Sequence, residues 1–287
     1  MKYLSQNSLS PTQFPPDFIP FPNEALEGTL VDRFESMVRR NPENIVITDR
    51  GKSITYNELN ISANRLAWEI LSLRGNGSEI ISFFAGYEIE AAILTWGILK
   101  AGKTYLIVTP DQVIEKQVDL LMEAQVKVMV STAKYRQACE TLKERLPDLT
   151  LINLEQASDE KDENPDLKTN PEIIPYINYT SGTTGKPKLL IHENRGLLEQ
   201  QKAKVNELGL VASDRWAQLN SLSYGGGGFS FYAAMCTGAR MCLYDVVNNG
   251  LQDFPEWLRA EGITHMNMPP PVFRNIFGSM PEDAKFP

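Results

Sequence analysis

The chain has 287 residues, of which 42% are hydrophobic and 22% are charged, as expected for one large or two packed globular domains. Its formal net charge of −8 argues against a general nucleic-acid binder, which would carry a basic surface. No run of about 18 apolar residues occurs, so no membrane span is expected. The start is polar and proline-rich, unlike a secretion signal. Cys139, Cys236 and Cys242 lack metal-ligand spacing and are predicted to be buried free thiols, which suits the cytoplasm.

Residues 1–27 are rich in proline and are predicted to form an extended arm. Beyond the arm, short apolar runs alternate with segments of helical apolar spacing. Helices are predicted at 30–39, 57–70, 87–101, 113–124 and 134–145, and strands at 45–48, 53–56, 80–84, 105–108, 126–130 and 149–154. Such alternation predicts a mostly parallel sheet with helices on both faces.

A charged, turn-rich stretch at 158–170 interrupts this alternation. It is predicted to be a solvated linker between a first α/β subdomain, 28–157, and a second, 171–287. In the second subdomain, strands are predicted at 173–179, 216–220, 240–244 and 263–268, and helices at 196–208, 231–237, 254–260 and after Pro271. Asn194 is predicted to cap the first of these helices. The stretch preceding the second helix contains four glycines and is predicted to be a loop.

The stretch YTSGTTGKPK, Tyr179 to Lys188, follows a predicted strand and has an unusual composition. Glycines let backbone N–H groups approach an anion closely, hydroxyl side chains add donors, and lysines supply positive charge. The Walker pattern GxxxxGK[ST] does not fit, because only two residues separate Gly182 from Gly185 and Pro187 follows Lys186. The composition therefore predicts a phosphate-binding loop of another kind, and the alternative is a mobile surface turn.

This stretch resembles the phosphate-binding loop of the adenylate-forming superfamily, which includes acyl-CoA synthetases and the adenylation domains of nonribosomal peptide synthetases. The family pattern (Y/F)TSG(S/T)TGxPKG is matched except at its final glycine, which is Leu189 here. ITYNEL at 54–59 with ANRLA at 63–67, LKAG at 99–102 and GA at 238–239 resemble further adenylation-domain motifs in the same order. The resemblance covers residues 28–287. It implies an α/β fold made of the N-terminal subdomains of that family, with mostly parallel sheets flanked by helices.

In the family, this loop holds the β,γ-phosphates of ATP while a carboxylate attacks the α-phosphate. The resemblance assigns ATP binding to Thr180, Ser181, Gly182, Thr183, Thr184, Gly185, Lys186 and Lys188. Thr184 and Lys186 are also assigned a catalytic role, whereas Lys188 could equally be a structural anchor. The family uses Mg²⁺ with ATP. The expected glutamate ligand lies in a motif that this chain does not reach, so no metal ligand is predicted here.

The same resemblance assigns the substrate pocket to Tyr224, Gly225 and Gly226. Amino-acid-activating members carry aspartate after the aromatic residue to hold the substrate ammonium, and Gly225 stands there in this chain. Because an unpaired ammonium is costly in a pocket, a hydroxy, keto, aryl or fatty acid is favoured. A shift of register within the glycine run would weaken this argument, and the run could instead be a flexible turn. His192 is predicted to be an ordinary surface histidine.

Three hypotheses of function stay open. The first is an adenylation domain that activates a carboxylic acid and passes it to the phosphopantetheine thiol of a carrier protein, which ANRLA and LKAG favour. The second is an acyl-CoA ligase for a non-amino acid, which Gly225 favours. The third is an inactive nucleotide-binding fragment, because the YGxTE-like motif and the C-terminal lysine of the family are absent from the sequence. On that ground the isolated chain is expected to show no pyrophosphate exchange.

Overall fold

The computed structural model describes residues 14–165, 167, 170–181, 187–222, 225–268, 270, 273, 274 and 278. The helices in chain order are α1 (Leu30–Arg40), α2 (Tyr56–Arg74), α3 (Ile89–Lys100), α4 (Ile114–Glu123), α5 (Arg136–Arg145), α6 (Asn194–Leu208), α7 (Gly225–Thr237), α8 (Val246–Asn249) and α9 (Phe254–Glu261). The strands are β1 (Ile45–Asp49), β2 (Lys52–Thr55), β3 (Ile80–Phe84), β4 (Thr104–Val108), β5 (Val128–Ser131), β6 (Thr150–Asn153), β7 (Tyr176–Ser181), β8 (Pro187–His192), β9 (Arg215–Gln218), β10 (Arg240–Leu243) and β11 (His265–Met266). Most of the helix predicted after Pro271 lies outside the described residues.

These strands form two sheets. The six-stranded sheet has the order β6-β5-β3-β4-β7-β8, and all its neighbours are parallel except the β7–β8 hairpin. The five-stranded sheet has the order β11-β9-β10-β1-β2 and is parallel except for the β1–β2 hairpin. Two largely parallel sheets flanked by helices confirm the predicted fold class.

Each sheet takes strands from both sides of the 158–170 segment. Ile47 in β1 pairs with Met241 in β10, and Tyr105 in β4 pairs with Tyr176 in β7. Parallel strands are joined by long crossovers, so neighbours in a sheet can lie far apart in sequence. The predicted division into 28–157 and 171–287 therefore does not coincide with the division into sheets.

The first two helices begin with the same hydrogen-bonded motif. The Asp32 N–H donates to Thr29 Oγ1 at 3.2 Å, and the Thr29 N–H donates to Asp32 Oδ2 at 2.7 Å. Thr55 and Glu58 form the equivalent capping box at the start of α2. Each box satisfies two backbone donors that the helix leaves unpaired, which fixes where α1 and α2 begin.

The largest cluster of buried residues includes side chains from both sheets, such as Ile47 in β1 and Phe83 in β3. Within it, the fully buried Trp96 of α3 stacks on Phe34 of α1, with ring centroids 4.1 Å apart, and lies 5.9 Å from Phe231 of α7. A single apolar core therefore joins helices that belong to different parts of the sequence.

Residues 158–163 are exposed, and the described part of the 158–170 segment also contacts α2. Asn64 Nδ2 donates to the Asp162 carbonyl oxygen at 2.6 Å. The indole N–H of Trp68 donates to the Glu163 carbonyl oxygen at 2.9 Å. The local sequence gave no sign of these contacts, because the partner side chains lie almost one hundred residues earlier.

The described part of the N-terminal arm also packs on the protein. Phe21 is buried, its N–H donates to Asn206 Oδ1 at 2.8 Å, and the Arg33 guanidinium lies 4.3 Å from its ring centroid. A short 3-10 helix spans Asn23–Glu27, so the predicted extended conformation is wrong for these residues. Pro22 precedes this helix, in the N-cap position.

The three cysteines are buried free thiols, as predicted. Burial raises the pKa of the Cys236 thiol to about 11. Within the described ranges, no helix combines the length and the apolar character needed to cross a membrane.

Candidate nucleotide and acid site

The predicted phosphate-binding loop connects β7 to β8. Thr180 pairs with Lys188 across this hairpin, and Ser181 pairs with Pro187. The predicted site residues Gly182, Thr183, Thr184, Gly185, Lys186 and Tyr224 lie outside the described residues. The sequence analysis did not predict β8, which begins with proline. As the edge strand of its sheet, β8 tolerates a residue without a backbone donor.

β7 ends at the carboxyl edge of the parallel strands, directly before the predicted loop in the sequence. β7 runs parallel to β4, and the loop follows the last residue of β7. The Tyr179 and Thr109 hydroxyls are 2.8 Å apart and join β7 to the residue that follows β4. Ligands of open α/β sheets bind at this edge, so the position suits the predicted anion site.

Thr180 and Lys188 are both exposed at the base of the loop. Among the residues that the structure describes, no carboxylate lies within 4.0 Å of the Lys188 ammonium. The hairpin thus brings one hydroxyl and one cation to the same end of the two strands. Their roles in ATP binding stay predictions.

The four-glycine stretch is helical, so the predicted loop is wrong: α7 begins at Gly225, with Gly226 in its first turn. A Cβ atom at Gly227 would lie 2.1 Å from the Ser221 carbonyl oxygen, so only glycine allows this approach. Gln218 Nε2 donates to the Gly227 carbonyl oxygen at 3.1 Å. These tertiary contacts outweigh the poor helix propensity of glycine.

A cavity of about 500 Å³ lies between α6, α7 and the β7–β8 hairpin. It starts at Gly228, roughly 5 Å or one helical turn from Gly225 along α7. Its lining includes Tyr176, His192, Leu197, Gly228, Phe229 and Tyr232. The sequence analysis missed this cavity, although Gly228, Phe229 and Tyr232 fall on adjacent turns once 225–237 is recognised as a helix.

Three rings from neighbouring strands form a row beside the cavity. Tyr105, Tyr176 and His192 are paired in register across β4, β7 and β8. The Tyr176 and His192 centroids are 4.1 Å apart with a 7° interplanar angle, and Tyr105 lies 5.1 Å from Tyr176 at 10°. The Tyr105 hydroxyl is 2.7 Å from that of Tyr232. His192 is therefore the last ring of an aromatic stack on one wall of the cavity.

The prediction of an ordinary surface histidine at His192 is wrong. Its side chain is half-buried, and burial lowers the pKa of the imidazole, which favours the neutral form near pH 7. Its Nε2 atom is buried and has no hydrogen-bond partner among the described residues. The ring is held by its register opposite Tyr176, which the local sequence did not reveal.

Asn194 is the first residue of α6 rather than its cap. Its side chain is buried and connects three segments. Oδ1 accepts from the Leu30 N–H at 3.1 Å, and Nδ2 donates to the Ile173 carbonyl oxygen at 2.7 Å. The predicted N-cap is wrong because these longer-range partners occupy the amide.

Lys204 of α6 is a buried cation next to the cavity wall, with 7% of its surface exposed. Its Nζ donates to the Phe229 carbonyl oxygen at 2.9 Å and to Gln201 Oε1 at 3.3 Å. Burial lowers the pKa of this amine to about 7. Its position seven residues after Leu197 places it on the buried face of α6, a signal that helical spacing could have revealed.

Within the described part of the chain, no group of three or more His, Cys, Asp or Glu side chains could hold a metal ion.

A family model described as AMP-binding enzyme matches residues 34–286. Surfactin synthase subunit 2 of Bacillus subtilis (strain 168) is 30% identical over 88% of this chain and 7% of that protein. Tyrocidine synthase 2 of Brevibacillus parabrevis is 29% identical over 85% of this chain and 7% of that protein. The chain thus spans less than a tenth of the length of these relatives.

Solved structures show the same fold. The nonribosomal peptide synthetase FmoA3, bound to alpha-methyl-L-serine-AMP, aligns with a TM-score of 0.75 and 21% identity over 87% of this chain and 28% of its own. The N-terminal subdomain of NpsA from Klebsiella oxytoca, in complex with 3-hydroxybenzoyl-AMSN, aligns with a TM-score of 0.72 and 17% identity over 88% of this chain and 62% of its own.

Proposed function

Because the chain belongs to the AMP-binding enzyme family, we propose that it takes part in the ATP-dependent activation of a carboxylic acid to an acyl-adenylate. One observation carries the proposal: β7, which contains the first residues of the YTSGTTGKPK stretch, ends at the carboxyl edge of the parallel strands. The cavity between α6 and α7 is proposed to receive the acid, and the loop to receive the phosphates of ATP.

The proposed reaction joins two anions. A carboxylate oxygen attacks the α-phosphorus, the bond from that phosphorus to the bridging oxygen breaks, and pyrophosphate leaves with the electron pair. Donors and cations that offset the phosphate charge lower the barrier. We assign the donors to Thr180, Ser181, Thr183 and Thr184, the cations to Lys186 and Lys188, and close backbone approach to Gly182 and Gly185.

We further propose that the acyl group passes to a pantetheine thiol in the cytoplasm. The thiolate attacks the acyl carbon, and AMP leaves. The names of the relatives, which are synthases, and the synthetase fold support a carrier protein as the acceptor. Three free buried thiols are compatible with a reducing compartment.

Gly225 favours a second candidate, an acyl-CoA ligase for a non-amino acid. The first residue of α7 has no side chain that could pair with a substrate ammonium. Mass spectrometry of the thioester formed from ATP, acid and either CoA or a phosphopantetheinyl carrier protein separates the two candidates.

Calorimetric titration of the 287-residue chain with ATP tests the proposed loop. We expect Lys186→Ala to weaken ATP binding about tenfold or more, because a charge-assisted hydrogen bond to phosphate is lost. Lys202→Ala is the control: this half-buried lysine of α6 contacts the Asn23 side chain, and its loss should leave the affinity unchanged. Equal affinities for wild type and Lys186→Ala would contradict the proposal.

A further inference from the structure

We propose that a cavity between the N-terminal arm, α1 and the carboxyl end of α6 is a second ligand site, which binds a small carboxylate with a short apolar tail. This arm cavity has a volume of about 290 Å³, roughly that of ten water molecules. Its lining includes Arg33, Met37, Arg40, Leu210, Val211 and Thr237.

The arm cavity lies apart from the proposed nucleotide and acid site. Thr237 is the last residue of the 13-residue helix α7, and Gly225 is its first, so about 18 Å of helix separate them. The proposed acid cavity begins near the amino end of this helix, whereas the arm cavity lies at its carboxyl end. The inference therefore goes beyond the proposed function.

Arg33 of α1 is a buried cation that lines the arm cavity, with 6% of its surface exposed. Its Nε donates to the Cys236 carbonyl oxygen at 2.9 Å, and its guanidinium lies 4.3 Å from the centroid of the Phe21 ring. Both partners are neutral, and among the described residues no carboxylate lies within 4.0 Å of this guanidinium. Buried charges are normally paired, so an anion in the cavity would supply the missing compensation.

Arg40 brings a second guanidinium to the arm cavity. Arg33, Met37 and Arg40 are spaced so that they share one face of α1, and all three line the cavity. Arg40 is exposed, and no carboxylate of the described ranges lies within 4.0 Å of it either. A guanidinium presents its N–H donors in a planar fork that matches a carboxylate, so two of them on one face form a strong carboxylate site.

Much of the remaining lining is apolar. The side chains of Met37, Val205, Leu210 and Val211 are buried and border the arm cavity. An inorganic ion such as phosphate does not cover these side chains, whereas a tail of a few carbon atoms packs against them and is removed from water. The lining therefore favours an organic carboxylate over an inorganic anion.

Two features act against an anion in the arm cavity. Asp17 is part of the lining, and the carboxyl ends of α1 and α6 carry the negative poles of their helices. Asp17 is exposed, so water screens its charge. A helix pole amounts to about half an elementary charge and its effect falls off within one turn, whereas each guanidinium carries a full charge on directed donors. The two arginines therefore dominate where the carboxylate binds.

Ligand-observed NMR titrations of the 287-residue chain test the chemical class of the ligand. Butyrate and butyramide have nearly the same shape, but only butyrate is charged near neutral pH. We expect butyrate to bind at least tenfold more tightly than butyramide, and more tightly than phosphate, which has no tail. Equal affinities for butyrate and butyramide overturn the proposal. Tighter binding of phosphate than of butyrate overturns the assignment of a carboxylate with a tail.

The Arg40→Gln variant locates the binding site. It removes one guanidinium from the arm cavity and should weaken butyrate binding at least fivefold. Arg39→Gln is the matched control, because Arg39 is the neighbouring residue, is also exposed and lies outside the lining of the cavity. Thermal unfolding without ligand verifies that both variants are folded. Unchanged butyrate binding by folded Arg40→Gln overturns the location.

Two further variants separate recognition from a structural role. Arg33→Lys keeps the buried charge but loses the planar fork, so butyrate binding should weaken at least fivefold. Asp17→Asn removes the opposing charge and should strengthen butyrate binding about twofold, a gain that a purely structural role of these residues does not produce. Unchanged affinity in both variants contradicts the role given to the charges around the cavity.

These measurements are independent of the proposed function, because none of them uses ATP. Butyrate binding that depends on Arg40 upholds this inference whether or not Lys186→Ala affects ATP binding. The converse result, an ATP site that depends on Lys186 without a butyrate site that depends on Arg40, rejects only this inference.

Discussion

Lys204 shows how a single residue can combine a structural contact with an energetic cost. Its amine contacts a backbone carbonyl of α7 and an amide side chain of α6. Among the described residues no carboxylate lies within ion-pair distance of it. The charged form is therefore poorly compensated, which is why burial lowers its pKa to about 7 from an ordinary value of 10.5.

We expect Lys204 to make the stability of the fold depend on pH. Between pH 10 and 7 the unfolded lysine binds a proton that the folded one resists, so the folded state loses stability as the pH falls. The Lys204→Met variant lacks the amine and therefore the pH dependence of stability that the amine causes. The stability of wild type relative to Lys204→Met should therefore fall by up to roughly 1 kcal/mol per pH unit between pH 9.5 and 7. Urea unfolding at several pH values measures the difference.

Lys202→Met serves as the control at a half-buried lysine of the same helix that contacts the Asn23 side chain, and its profile should run parallel to that of wild type. Burial raises the pKa of the nearby Cys236 thiol to about 11, but both proteins contain this thiol, so its own contribution cancels in the difference. Parallel profiles for wild type and Lys204→Met would show that the amine is not the titrating group.

At the scale of single residues, the sequence predicted the site residues that belong to a local motif. Thr180 and Lys188 could be selected from the sequence motif alone, and in the structure they are paired across the β7–β8 hairpin. The stacking of Tyr176 on His192 could not be predicted in this way, because it depends on the register of a strand that the sequence analysis did not recognise.

Among the elements, helix α7 was the least expected from the sequence, because a helix rarely begins with four consecutive glycines. The close approach of Gly227 to the Ser221 carbonyl explains why a side chain is excluded at that position. Neighbouring Gly228 has no such restriction. Helix propensity failed here because a long-range backbone contact outweighs it, whereas α1 and α2 follow their local apolar spacing and begin at local capping boxes.

Alanine substitutions at these two glycines should have opposite effects. Gly227→Ala forces the backbone apart and should lower the free energy of unfolding by more than about 2 kcal/mol. Gly228→Ala adds a methyl group in ordinary van der Waals contact, 3.8 Å from the Tyr176 hydroxyl, and should raise the free energy of unfolding by about 0.5–1 kcal/mol through helix propensity. Chemical denaturation followed by circular dichroism measures both. Similar changes in the two variants would contradict the proposed contact.

For the whole molecule, the alternation of strands and helices was sufficient to predict the architecture but not the order of strands. Parallel pairing brings β1 to β10 and β4 to β7, and nothing in the local sequence specifies such distant partners. The consequence is one core shared by both sheets, with Trp96 packed between α1 and α7.

Trp96→Ala should destabilise both sheets together, by about 3–5 kcal/mol. Because the core is shared, tryptophan fluorescence and far-UV circular dichroism should report the same single unfolding transition. Trp68→Ala, which removes a contact to the 158–170 segment at the surface, is the control and should cost about 1 kcal/mol. Two separated transitions in the Trp96 variant would mean that the sheets unfold independently.

The interleaved sheets also constrain how the protein is made. Ile47 leaves the ribosome nearly two hundred residues before Met241, its partner in the five-stranded sheet. At ordinary translation speeds, about 10–40 s separate the synthesis of β1 from that of β10, and the apolar face of β1 stays exposed during this time. Nascent chains of this protein should therefore be clients of the chaperones that shield hydrophobic segments during synthesis.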